Sequence, residues 1–232
     1  MNLFYAIIRA IAYLPFKLIY PTKVINKRDF PKERKVLLVC NHLSWKDIIV
    51  TAINLPHYRH FVAKKEIGKN RLVHKLARWL GVIFIDRGKA DMSAMREILG
   101  VLKKGEGVTI FPEGTRNKVD TSLQEVKSGV VMFSVKGGAP IVPAIIHEKA
   151  RAFRRNYMYL LPAFELEDLK GRRLDTPTVE EGAAIVAAKL SEAKQRLDYY
   201  VEHRKDKQFK KLLKDGKRAR KSALKAAKRL CK

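Results

Sequence analysis

The residues best placed to do chemistry are His42 and Asp47, five positions apart in Asn41-His42-Leu43-Ser44-Trp45-Lys46-Asp47. A carboxylate accepting from one ring nitrogen of a histidine fixes its tautomer and leaves the other nitrogen as a base. Such a pair activates a hydroxyl, either the protein's own or a substrate's. The same residues admit a plainer reading, because Ser44-x-x-Asp47 is also a capping-box-like helix start. Other chemistries lack their motifs. There is no Gly-x-Ser-x-Gly nucleophile elbow, no Gly-x-x-x-x-Gly-Lys-Ser/Thr phosphate loop and no dinucleotide glycine pattern. Cys40, His42, His57, His60 and His74 have no standard zinc spacing, so no metal is expected. The acids do not gather into the metal-binding cluster of a phosphate-ester hydrolase. A base that deprotonates a bound substrate hydroxyl is the remaining reading. Arg87 and Arg116 suit a phosphate, since guanidinium forks match oxyanions. Lys64 and Lys65 add charge, Glu113 offers a hydrogen bond to a substrate hydroxyl, and Gly114 lets a backbone approach a ligand closely.

These residues need a scaffold, and the chain supplies an alternating one. Val36–Cys40, His60–Ala63, Gly81–Ile85, Gly107–Phe111 and Pro140–Ile146 read as buried strands, and Tyr157–Leu160 as an edge strand. Ser44–Asn54, Glu66–Trp79, Asp91–Lys104, Val126–Val135 and Glu180–Val201 read as helices. Alternation of this kind predicts an α/β fold, a single domain with a mostly parallel central sheet flanked by helices. In such sheets ligands bind beyond the carboxyl ends of the strands. His42, Arg87 and Glu113 through Arg116 all follow predicted strands.

With these residues in place, the chain resembles the glycerolipid acyltransferases, the lysophosphatidic acid acyltransferase family. Asn41 through Asp47 resembles the family's His-x4-Asp motif. Phe111-Pro112-Glu113-Gly114-Thr115-Arg116 is similar to its Phe-Pro-Glu-Gly-Thr-Arg motif, Gly81 through Arg87 to its second motif, and Ile141 through Ala144 to its fourth. The resemblance runs from about Val36 to Leu160. It implies transfer of a fatty acyl group from acyl-CoA or acyl-carrier protein to the 2-hydroxyl of a lysophosphatidate, giving phosphatidate. It implies that His42 is the general base and Asp47 its orienting partner, with direct attack and no acyl-enzyme. By the same resemblance Arg87, Arg116 and a lysine at Lys64–Lys65 hold the acceptor phosphate, while Glu113, Gly114 and Thr115 shape the acceptor site. No cofactor is implied; the thioester is a co-substrate. Acylation of another lysophospholipid, or of glycerol-3-phosphate itself, stays open.

The two ends of the chain suggest a membrane surface. Residues 1–20 are apolar except for Arg9 and Lys17 among their longer side chains, and Pro15 is expected to break the helix. The run is shorter than the ~18–20 uninterrupted apolar residues of a membrane span and lacks a secretory cleavage pattern. A helix lying in a membrane interface is expected, in preference to one packed on the core. The formal charge of the 232 residues is +26, and residues 203–232 hold 14 Lys and Arg against Asp206 and Asp215. Phe209, Leu212, Leu213, Leu224, Ala227 and Leu230 line one helical face of that tail, in two short helices or one, because Gly216 is a weak point. Lipid and nucleic acid both match so much charge. Strand-stacking proteins interleave aromatics with the basic residues, and the tail has only Phe209, so nucleic acid is not the expected partner. The organisation expected is an apolar helix at 1–20, the α/β domain at 21–202 and a basic tail at 203–232. Two cysteines, Cys40 and Cys231, exclude a disulfide framework and fit a reducing compartment. The expected location is the cytoplasmic side of the cell membrane, attached peripherally.

Overall fold

The computed structural model describes residues 3–86 and 91–230, with side chains at all of these except 220 and 222–230. Arg87 and Gly88 therefore lie outside the described residues, and so do the side chains of Leu224, Ala227 and Leu230. The seven strands are β1 (Thr22–Ile25), β2 (Leu37–Cys40), β3 (Arg59–Lys64), β4 (Ile83–Ile85), β5 (Gly107–Ile110), β6 (Ile141–Ile146) and β7 (Asn156–Leu160). They form one sheet in the order β1-β7-β6-β2-β5-β3-β4. Every neighbouring pair is parallel except β6 and β7.

β2 lies at the centre, with Leu38 opposite Thr109 on one side and Val142 on the other, and all four of its residues are buried. Its continuous apolar run follows from that position, because a strand covered on both faces has no polar side to alternate with. Leu37 and Val39 join the core beneath α4 (Met92–Lys103), α5 (Gly129–Gly137) and α6 (Thr176–His203), with Ile98, Leu102, Val131, Val186 and Leu190. Leu38 and Cys40 face the other way, into a core with Val50 and Leu55, on or just after α2 (Lys46–Asn54), and with Phe61, Phe111 and Met158. The two-residue period of a strand divides one apolar run between two cores.

Four elements depart from the sequence reading. β1 was not foreseen. It pairs with β7, so Tyr157–Leu160 is an inner strand rather than an edge. The segment Glu66–Trp79 is divided into a 3-10 turn (Lys65–Lys69) and α3 (Arg71–Trp79), whose start is capped by the Asn70 side chain. α1 (Leu3–Ile19) runs straight through Pro15. The proline removes one ladder hydrogen bond. The turn that follows is held from outside, by Lys17 Nζ donating to Asn54 Oδ1 at 2.5 Å and by stacked Phe16 and Tyr20. For the tail, which the sequence left open between one helix and two, the structure has one, α7 (Lys207–Leu230), continuous through Gly216.

α1 lies across α2. Its Arg9 donates to the Leu55 carbonyl at 2.9 Å, and Tyr5 packs edge-on against Tyr58 before β3. Beneath it Arg59 is fully buried, donating to the carbonyls of Thr51 at 3.1 Å and His57 at 3.2 Å and to Thr109 Oγ1 at 3.2 Å. Burial pulls its pKa down to about 10. Arg59 thus ties the end of α2 to β3 through backbone carbonyls and to β5 through the Thr109 hydroxyl.

Candidate active site

The site forms where β2 and β5 end side by side. Asn41, the first residue after β2, uses its side-chain amide as a clamp: Nδ2 donates to the Ile146 carbonyl at 3.0 Å and Oδ1 accepts from the Ile146 N–H at 2.8 Å. That pair fixes the turn to the end of β6. The next residue, His42, is fixed from the opposite side. Its carbonyl accepts from the Asn117 N–H at 2.8 Å, and its ring stacks on Phe111 with centroids 4.0 Å apart. Asn117 is anchored in turn by its side chain, which donates to Asp120 and Ser122 and accepts from Val119 and Asp120.

His42 Nδ1 lies 3.0 Å from Asp47 Oδ2. The same oxygen accepts from the N–H groups of Leu43 and Ser44, both at 2.7 Å. Ser44 Oγ accepts from the Lys46 N–H at 3.1 Å. One carboxylate therefore makes both the helix-start contacts and the contact to the histidine ring. Asp47 is fully buried, and its lone pairs are filled by donors from the turn. With an ionised Asp47 the proton belongs on Nδ1, so Nε2 is the bare, basic nitrogen. Nε2 has no hydrogen-bond partner among the described residues.

Glu113 stands beside this pair and is nearly buried. Neither of its carboxylate oxygens has a hydrogen bond of normal geometry among the described residues. Burial raises its pKa to about 7, opposed in part by the nearby backbone N–H groups of His42 and Gln124, while the charge of Asp47 pushes it further up. A carboxyl held near neutrality can donate as well as accept a hydrogen bond. Gly114 follows at φ +73, a turn conformation that side chains with a Cβ rarely adopt. Thr115 Oγ1 donates to Gln124 Oε1 at 3.1 Å, and Arg116 is exposed, with no ion pair among the described residues. Cys40 is buried behind the pair, where burial and the charges of Asp47 and Glu113 raise its thiol pKa.

The structure thus brings His42, Asp47, Glu113 and Gly114 together. Thr115 and Arg116 lie on the rim. Lys64 and Lys65 sit at the end of β3, one strand beyond β5, with Lys64 paired to Glu66 at 2.9 Å. Sequence reasoning missed the clamping roles of Asn41, Asn117 and Phe111. Asn41 and Phe111 carried one available signal, direct adjacency to the motif residues at two strand ends. A cavity of about 580 Å³ opens at the opposite end of the strands, between α1 and the residues before β3 and β5, lined by Tyr5, Arg9, Tyr13, Arg34, Tyr58 and Glu106. It lies away from His42 and is no part of this site.

The profile of the Acyltransferase family matches residues 21–147, more than half of the chain and all of the strand ends just described. The chain belongs to this acyltransferase family. The 1-acyl-sn-glycerol-3-phosphate acyltransferase of Bacillus subtilis is 31% identical over 76% of this chain and 89% of its own length. The proteins of that name from Borreliella burgdorferi and Cocos nucifera are 27% and 32% identical, over 59% and 60% of this chain, and this chain spans about half of each, 55% and 46%. Among solved structures, the crystal structure of the 1-acyl-sn-glycerophosphate acyltransferase PlsC from Thermotoga maritima has the same fold. The TM-score is 0.62 at 24% identity, over 84% of this chain and 78% of that one. Membership gives the sequence resemblance its footing, and the acyltransferase α/β plan is the one the strands display.

Proposed function

We propose that this acyltransferase moves a fatty acyl group from an acyl thioester, acyl-CoA or acyl-carrier protein, to the 2-hydroxyl of 1-acyl-glycerol-3-phosphate. The product is phosphatidate, for phospholipid biosynthesis. The observation that carries the reading is the His42–Asp47 pair, with a bare Nε2, standing in the segment shared with relatives of that name. His42 Nε2 takes the hydroxyl proton as the acceptor oxygen bonds to the thioester carbonyl carbon. The tetrahedral intermediate then collapses, the carbon–sulfur bond breaks, and the imidazolium returns its proton to the leaving thiolate. Asp47 holds the tautomer and stabilises the imidazolium. Glu113 contacts the acceptor, and Lys64, Lys65, Arg87 and Arg116 supply the positive charge for its phosphate. No cofactor enters the reaction so written.

No described helix is long and apolar enough to cross a membrane. We read attachment as peripheral, on the cytoplasmic face, through the exposed apolar side of α1 and the basic tail.

An acyl-transfer assay pairing acyl-CoA and acyl-carrier-protein donors with a panel of lysophospholipids and glycerol-3-phosphate tests this. Transfer to 1-acyl-glycerol-3-phosphate above the other acceptors is expected, and folded protein inert toward that acceptor with every donor overturns the assignment. His42→Ala and Asp47→Ala separate chemistry from architecture. Both should lose about 10³-fold or more in turnover. Only Asp47→Ala should lower unfolding stability, by about 2–4 kcal/mol, because it alone strands buried N–H donors. Equal thermal midpoints for the two variants would show that Asp47 does not hold the turn.

A further inference from the structure

α3 is a helix without a core. None of its nine residues is buried. Leu72, Val73, Leu76 and Trp79 form one stripe, and all are exposed, Leu72 to 78%. Ile67, in the turn before the helix, is exposed as well. A helix this short is marginal alone, since isolated helices below ~12–15 residues rarely persist in water. The contacts that tie α3 to the body include His74 stacked on Phe84 at 4.8 Å, Trp79 edge-on against Phe4 at 5.2 Å and an exposed ion pair from Arg78 to Glu97 of α4 at 2.6 Å, and none of them buries the apolar stripe.

That last contact makes α3 continuous with α1, which exposes Leu3, Ile7, Ile11, Leu14 and Leu18. Trp45, three residues from His42, is exposed too. The flank of α3 is cationic. Lys65, Lys69 and Arg71 make no ion pair among the described residues, and Lys75 lies over the Trp79 ring at 5.0 Å.

We propose that α3, with Ile67, is a second interfacial segment that inserts its apolar stripe into a bilayer carrying anionic lipid, side by side with α1. Aliphatic residues and a tryptophan beside unpaired Lys and Arg match the layered polarity of a lipid headgroup boundary. A second copy of the chain matches it poorly, because a two-fold contact would bring like charges around one apolar patch. The consequence for the reaction is geometric. α3 and its preceding turn follow directly from β3, so seating them in the bilayer places the strand-end lysines Lys64 and Lys65 at the surface from which an acceptor lipid is drawn. The inference deepens the membrane attachment proposed above and rests on it.

The test uses the full chain and vesicles of phosphatidylethanolamine with phosphatidylglycerol. Leu72→Glu/Leu76→Glu should lower co-sedimentation with vesicles by about tenfold or more, comparable with an α1 variant, Ile11→Glu/Leu14→Glu. It should keep turnover on a short-chain, monomerically dissolved lysophosphatidate, which shows the site intact. With Trp45→Phe, Trp79 is the sole tryptophan of the chain's two. Its emission should shift to the blue on adding vesicles and be quenched by brominated acyl chains. If the α1 variant loses binding while the α3 variant does not, and Trp79 does not respond, the proposal is overturned and attachment through α1 stands. If neither variant loses binding, both readings fall. A blue shift of Trp79 that grows with protein concentration without lipid, together with a dimer in sedimentation velocity, assigns the face to a second copy and overturns the lipid proposal.

Discussion

A carboxylate that starts a helix and a carboxylate that orients an imidazole need the same geometry, lone pairs aimed back at the residues before them. Asp47 meets both needs because His42, Leu43 and Ser44 are wrapped around one oxygen. Glu113 is the opposite case, a buried carboxyl short of partners. Its pKa of about 7 in the folded protein exceeds the value of 4.5 expected when unfolded. The folded state therefore holds a proton that the unfolded state releases between these values. Its contribution to stability is fully present below pH 4.5 and is lost as pH rises through about 7, by roughly 3 kcal/mol in all. Glu113→Gln removes the ionisation and should flatten that part of the curve, leaving the variant more stable than the native chain at pH 8 but not at pH 5. Denaturant titrations at the two pH values check this; an equal difference at both would mean that Glu113 does not carry the shift.

At the scale of elements, the same substitution should act in opposite directions at two helical glycines. Gly→Ala in a helix interior ordinarily stabilises by up to about 1 kcal/mol. At Gly216 a Cβ meets nothing within 4 Å, so Gly216→Ala should raise helicity in α7, read by circular dichroism. At Gly182 in α6 a Cβ would stand 2.7 Å from Val131 Cγ1 and 2.8 Å from Leu169 Cδ1. Overpacking of a filled core costs about 1–3 kcal/mol and outweighs the propensity gain, so Gly182→Ala should lower the thermal midpoint. A raised midpoint would mean that α6 can move off α5. The strand-end residues were readable from sequence for a related reason. β2, β5 and β6 are buried on every position, so each shows as an unbroken apolar run with its motif at the end. β1 has only four residues, Thr-Lys-Val-Ile, and its place is set by pairing with β7 more than a hundred positions away. Local pattern carries no trace of such a pairing, which is why Tyr157–Leu160 reads as an edge. Pro15 misled, and Gly216 left the tail open between one helix and two, for the complementary reason. Each lowers local propensity, and neither effect is large enough to end a helix that packing or length supports.

At the scale of the molecule, charge and apolar surface are distributed differently. The apolar exposure gathers on α1 and α3, whereas the cationic excess is concentrated in α7, which continues from α6. The first turns of α7 are docked. Phe209 meets Tyr199 at 5.6 Å and Tyr200 at 5.9 Å, and just before the helix the Arg204 guanidinium lies over Tyr157 at 5.5 Å. Beyond Lys211 no described side chain is buried. A truncation should respect that boundary: removing residues 212–232 deletes nine Lys and Arg and one Asp, which lowers the formal charge from +26 to +18, and leaves the Phe209 cluster in place. Basic residues at an anionic surface contribute up to about 1 kcal/mol each, over a range set by the Debye length of ~8–10 Å at 0.1–0.15 M salt. The truncated chain should keep its thermal midpoint but bind vesicles of anionic lipid less tightly at low salt. The difference between the two forms should shrink as salt is raised, because salt screens the tail's charge and not the apolar contact proposed for α1 and α3. Co-sedimentation across a salt series measures both slopes. Equal binding at low salt would remove the tail from membrane attachment, and a deficit that persists unchanged at high salt would mean that its apolar face, not its charge, makes the contact.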